Sequence, residues 1–208
     1  TLFRSHALRT PRWHNVDKVK MLDAIQVDEL KDFIKMLLKR LFIQAVVHGN
    51  VTKEEALALV NAFEAPLNAD TLMPAERFLL QRIIKLPSDG SSFIYSEPVR
   101  DPDNINSAIE VYFQIGRRTH ETNARLALLA SIMSEPCFDH LRTKEQLGYI
   151  VFSGTVTDDG ILGLRIIVQS AKCVPKQLDE HIEAFLVSFR AKLGKISDDE
   201  FKKQRDSL

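Results

Sequence analysis

Arg142-Thr-Lys-Glu-Gln-Leu-Gly-Tyr149-Ile-Val-Phe152 is the stretch whose reading decides the fold. Before it, residues 119–140 place apolar side chains at helical spacing; after it, residues 149–157 alternate as a strand does. Helix, glycine corner and strand form the joint of an α/β unit. Gly148 is expected to turn the chain through a backbone conformation closed to other residues, and so to set Tyr149 at the head of the strand. Arg142 brings five donors in a fixed fork, and Tyr149 brings a hydroxyl on a rigid ring. Held on one corner, the two suit the backbone of an extended peptide or an oxyanion developing on it. The competing reading gives Arg142 a surface ion pair and buries Tyr149 with its hydroxyl satisfied. Lys144 and Glu145 read as solvent-facing or helix-capping, and Gln146 and Leu147 as packing.

Outward from the corner, residues 157–160 (Thr-Asp-Asp-Gly) predict a hairpin turn into a second strand over 161–169. Pro175 opens a helix in its first turn, with Leu178, Ile182, Phe185, Leu186 and Phe189 as its buried stripe. Ser197-Asp-Asp-Glu200 is a capping box for a further helix. Upstream, 107–115 alternates as a half-buried strand, and Thr119 caps the helix that Pro136 is expected to kink before Phe138 and Leu141 continue its apolar side. Residues 77–86 and 93–96 predict a strand pair around a turn at 88–92. Residues 65–74, with two prolines, read as a linker. Before the linker, 27–41 carries Leu30, Phe33, Ile34, Leu37, Leu38 and Leu41 at helical spacing, and 42–47 reads as a short buried strand closed by His48-Gly-Asn. Thr52-Lys-Glu-Glu55 then caps another helix. Neighbouring strands in hairpins with helices between them predict an α+β fold, an antiparallel sheet covered on one face by helices.

With 208 residues, 45% of them hydrophobic and 27% charged, the chain has the composition of an ordinary globular protein of one large or two small domains. Its 28 basic and 28 acidic side chains balance, so there is no global pull toward nucleic acid or an anionic membrane. No apolar run reaches the roughly 18–20 residues that span a bilayer. Cys137 and Cys173 make neither a disulfide framework nor a zinc pattern, and read as reduced thiols of an intracellular, cytoplasmic protein. Cys137, next to the corner, is either a reactive thiol or a small buried apolar residue, the second being favoured. His6, His14, His48, His120, His140 and His181 are scattered, with none four residues from another. A zinc site needs two or three such ligands together, so no metal site is expected in this chain. Lys202 and Lys203 read as a solvated helix face.

The run from Ser134 through Arg142 and Tyr149 to Gly154 resembles the insulin-degrading type of the pitrilysin family, large zinc peptidases with an inverted His-x-x-Glu-His motif. Residues 160–170, 181–186 and 47–53 extend the likeness, which is weak over 1–20 and 68–76. The resemblance implies two-layer α/β rolls of the LuxS/MPP-like metallopeptidase type. Residues 1–76 would be the end of a third roll, and 77–208 most of a fourth that carries the Arg-x6-Tyr motif. It further implies that Zn2+ is bound by an N-terminal half outside this chain, and that this part encloses peptide substrates. Arg142 and Tyr149 would reach the substrate near the scissile bond, and the whole protein would be a zinc metalloendopeptidase, with this segment alone inactive. Expected partners are peptides, the N-terminal half and a second copy in a homodimer, with no nucleic acid and no membrane. A non-catalytic peptide-binding or scaffold subunit of the same family is the alternative reading; an unrelated interaction domain is a third.

Overall fold

The computed structural model describes residues 2–77, 81–99 and 101–208. It divides into two compact units, one formed by Thr1–Thr10 with Arg82–Leu208 and the other by Pro11–Gln81. The division thus falls between residues 81 and 82, and the first ten residues go with the larger unit.

In chain order the elements begin with helix α1 (Leu2–Leu8), strand β1 (Arg9–Thr10), helices α2 (Asn15–Leu22) and α3 (Val27–Lys39), strand β2 (Arg40–Leu41) and helix α4 (Lys53–Glu64). Strands β3 (Asp70–Thr71), β4 (Arg82–Ile83) and β5 (Ser107–Arg117) come next, then helix α5 (His120–Phe138). A π-helical turn (Asp139–Lys144), strands β6 (Ile150–Asp158) and β7 (Ile161–Ser170), and helices α6 (Pro175–Leu193) and α7 (Asp198–Ser207) complete the chain.

The larger unit is built on an antiparallel sheet of order β5-β7-β6. Asp159 and Gly160 both take positive φ (42° and 78°), as a tight hairpin between β6 and β7 demands. α5 crosses over to carry the chain from β5 to β6, the two outer strands. One face of the sheet presents Val151, Leu162, Leu164, Ile166 and Val168, which pack with Leu126, Met133, Cys137 and Leu141 and with Leu178, Ile182, Phe185 and Phe189 of α6. This is the α+β arrangement that the strand alternation and helical stripes predict. On the other face Arg4 of α1 lies 4.8 Å over the Tyr112 ring, donates to Glu110 at 3.0 Å and pairs with Asp158, which Arg9 also meets. Burial pushes the Tyr112 phenol up in pKa, and the Arg4 charge opposes the shift.

The smaller unit has short-range reasons for its helices. Thr52 accepts from the Glu55 N–H at 3.2 Å and Glu55 accepts from the Thr52 N–H at 2.8 Å. That backbone hydrogen bond from Thr52 holds the Glu55 carboxyl below its ordinary pKa. Pro66 stops α4 in a 3₁₀ turn, and Asn68 at φ 43° leaves it. β2 pairs in parallel with β3 over two residues, beside a doubly bonded Arg40–Glu76 pair.

Two expected strands do not form. Residues 42–47 are irregular beyond Leu41, with Val46 open to solvent, because an apolar run becomes a buried strand only when strands flank it. Residues 93–96 also lack a ladder, with Phe93, Ile94 and Tyr95 exposed. Of the strand expected over 77–86, residues 78–80 lie outside the described residues and only Arg82–Ile83 pairs, antiparallel with β1. Gln114 of β5 instead ties the segment down, accepting from the Leu86 N–H at 2.8 Å and donating to the Ile84 carbonyl at 3.0 Å.

Candidate functional site

The corner begins where α5 ends. Thr119 caps that helix by accepting from the Thr122 N–H at 3.1 Å. Pro136 removes one N–H from the helical ladder near its other end, and the chain widens directly afterwards into the π turn, a form that recurs at functional sites. The Glu145 N–H bonds the His140 carbonyl, and the Leu147 N–H bonds the Leu141 carbonyl, both at 3.1 Å. Gln146, exposed and at φ 52°, is the left-handed residue that closes the helix, while Leu141 and Leu147 are both buried in the core.

Gly148 therefore serves differently from the expectation. It is not among the positive-φ glycines; a Cβ there would stand 1.8 Å from the Gln169 carbonyl oxygen of β7. Only a residue without a side chain lets the corner pass this close to the sheet. Gln146, read as packing, is instead the exposed turn residue.

Tyr149 leaves the corner 85% exposed, so it is not a core residue. Arg142 stacks over its ring at 4.6 Å, and lies 5.4 Å from the Phe138 ring on the preceding helix. Its Nη1 donates to the Tyr149 carbonyl and, at 3.5 Å, to that of Gly148. The hydrogen bonds of the described residues engage only this nitrogen of the guanidinium. Arg142 is not in a surface ion pair; it braces the corner and keeps donors in hand. Phe138, read as a continuation of the apolar stripe, is half exposed and forms the far wall of the stack. Beside Tyr149 opens a cavity of about 220 Å³ lined by Asn106, Gly148, Ile150, Gln169 and Lys172 among others.

Glu145 is the residue whose role the sequence hid. Its Oε1 lies 3.1 Å from His140 Nε2 and its Oε2, which makes no hydrogen bond, lies 2.9 Å from His181 Nδ1, so one carboxylate sits between the π turn and α6. The helical pattern places His181 and Glu145 on separate elements and gives no sign that they meet. Lys144 is exposed as expected, and pairs with Asp139 at 2.7 Å. Cys137 is wholly buried, and burial pushes its thiol up in pKa, a contact with Ser153 opposing. It is the small core residue rather than the reactive thiol. Among the described residues no three His, Cys, Asp or Glu are disposed to hold a metal ion, and no helix is long and apolar enough to cross a membrane. Among the described residues no ligand set fits zinc.

The corner presents an exposed phenol beside the Nε and Nη2 donors of Arg142. The family described as PQQ synthase PqqF-like, C-terminal lobe domain 4, matches residues 128–208, which contain the corner. Human insulin-degrading enzyme is 38% identical over 200 residues, 94% of this chain and 19% of its own length. A Schizosaccharomyces pombe protein that carries the name of a zinc protease is 36% identical over 197 residues, 94% of this chain and 20% of its own. In fold, the crystal structure of pitrilysin covers 95% of the chain with a TM-score of 0.68 and 23% identity. By class, the chain has the fold of pitrilysin. More particularly it is similar to the C-terminal region of insulin-degrading enzyme, and it spans about a fifth of the length of the relatives it matches.

Proposed function

We propose that this chain is the substrate-enclosing, non-zinc-binding portion of an insulin-degrading-type zinc metalloendopeptidase. Residues 1–76 are the end of a third α/β roll in this reading, and 77–208 most of the fourth. Zinc, which in this reading an N-terminal half outside this chain would hold, would supply the Lewis-acid chemistry. This chain's own residues position the peptide. Arg142 turns its unengaged N–H groups toward the carbonyl oxygen as negative charge grows on it, and Tyr149 offers its phenol to the same oxygen or packs beside the cleaved bond. Because the stack between Phe138 and Tyr149 orients the guanidinium before substrate arrives, little ordering remains at the moment of reaction. That stacked, exposed Arg142–Tyr149 pair is the observation that carries the reading. The two free cysteines support an intracellular setting.

Hydrolysis of a quenched fluorescent peptide tests it. The chain alone is expected to be silent with added zinc, and to support cleavage once combined with a zinc-binding N-terminal half. In that assembly Arg142→Ala or Tyr149→Phe lowers kcat/KM by roughly 10²-fold, the cost of one transition-state donor. Peptide binding without any cleavage in the assembly establishes a scaffold subunit instead.

A further inference from the structure

We propose that Glu145, packed between His140 and His181, is a positioning residue that holds the π turn in register and so aims Arg142. The inference rests on the reading of Arg142 and Tyr149 given above. A π turn accommodates one residue more than an α-helical turn, and it is a rare form that occurs mostly as a single turn inside α-helices. Relaxation of residues 139–144 into α-helical register would rotate the residues beyond the turn by about 100° per residue displaced. Arg142 would then leave the groove between Phe138 and Tyr149. Something must therefore hold the wider turn, and three features converge on Glu145.

Glu145 caps the turn, its N–H bonded to the His140 carbonyl. Its carboxylate is only 25% exposed, and each oxygen lies within 3.1 Å of a different imidazole. One imidazole, His140, belongs to the turn itself and leans on the Phe185 ring at 5.7 Å. The other, His181, belongs to α6, whose Ile182 and Phe185 are fixed in the core. The carboxylate thus packs, at contact distance, between α6 and the cap of the turn that bears Arg142. Other charges nearby are otherwise occupied or peripheral: Asp139 and Lys144 pair with each other, and Lys192 of α6 lines the cleft beside His140. The two imidazoles and one carboxylate do not form a metal site; they are a packed cluster.

The test is a double-mutant cycle on peptide hydrolysis in the full-length protein that carries this chain. Glu145→Ala is expected to lower kcat about tenfold, toward the 10²-fold that a 1 Å misplacement can cost, with KM changed less than about twofold. Glu145→Gln, which keeps a hydrogen-bonding side chain of the same shape, recovers most of that loss. In the Arg142→Ala background Glu145→Ala costs nothing further, because there is no guanidinium left to aim. Should Glu145→Ala fail to fold, His181→Ala carries the same expectations from a half-exposed position. If Arg142→Ala slows hydrolysis but Glu145→Ala leaves kcat intact, or adds its loss in full to that of Arg142→Ala, the positioning role falls and the reading of the corner stands. If neither Arg142→Ala nor Tyr149→Phe slows hydrolysis, both fall together.

Discussion

Helices α3 and α6 carry the same kind of sequence and meet different fates. Each repeats large apolar residues at helical spacing with charges between them. α6 buries its stripe against the sheet and the π turn, Phe185 remaining 2% exposed. In α3 no residue is buried, and Leu30, Phe33, Ile34, Leu37 and Leu38 stay between 38% and 52% exposed. Periodicity states which face of a helix calls for cover; it does not supply the cover. The rigid site lies where the cover exists, on the π turn that α6 supports, and a helix without it has nothing to orient.

The contrast predicts its largest effect at Phe185, which touches the rings of Phe189 and His140 at 5.7 Å each. Phe185→Ala is expected to destabilise the larger unit by about 3–5 kcal/mol, through lost burial plus the cavity left behind. Urea unfolding of the 208-residue chain measures it. A loss under about 1 kcal/mol would mean that α6 is no better packed than α3.

Next in size come two substitutions in the corner with opposite signs. Gly148→Ala pushes a methyl into the Gln169 backbone, which cannot swing aside as a side chain would, and is expected to cost about 1–3 kcal/mol. Gln146→Gly relieves a left-handed backbone and is expected to stabilise by about 0.5–1 kcal/mol, the strain removed less the entropy that glycine adds. Were Gly148 the turn residue and Gln146 the packed one, Gln146→Gly would destabilise instead, while Gly148→Ala would stay unfavourable.

Whatever depends on near neighbours in the chain was legible. Thr52 with Glu55, Thr119, Pro175 at a helix start and the Asp159-Gly160 turn all declare themselves within four residues, because caps and tight turns are closed by local hydrogen bonds. The central strand β7 was legible too, since its alternation is strong. The readings that failed depend on distant partners. Gly148 stood out as a glycine, but its reason lies in Gln169 on another strand. Residues 42–47 look the same whether strands flank them or not. Glu145 seemed a solvated charge because His181 reaches it only after the chain has run through two strands and into α6. The Arg142–Tyr149 pair was readable as a unit because both residues lie on one short corner.

A smaller effect separates the buried side of the corner from its exposed side. Burial raises the Cys137 thiol pKa in the folded state above the ordinary value of about 8.5. The unfolded chain therefore gives up that proton first, and thiol ionisation favours unfolding. The contribution is fully present below the ordinary thiol value and is lost as pH rises through the raised one. Urea midpoints at neutral and alkaline pH are expected to differ less in Cys137→Ala than in the wild type. Equal pH dependence in both would place the thiol in water, where its titration would be the same folded or unfolded.

The smallest effect belongs to α3, and it closes the comparison. Leu37 is 52% exposed on a helix with no buried residue, so Leu37→Ala is expected to change the stability of the 208-residue chain by no more than about 0.5 kcal/mol. Alanine is at least as good a helix former as leucine, so the substitution carries no propensity penalty to confuse the result. The measurement reads side-chain burial alone. A loss above about 1 kcal/mol would show the α3 stripe covered in solution, and the difference between the two helices would then be one of degree. No change in the chain beside a loss of about 2 kcal/mol or more in the full-length protein would locate the cover in the part of the molecule beyond these residues. The same amphipathic pattern would then have been completed by two different routes, within the segment for α6 and across its boundary for α3.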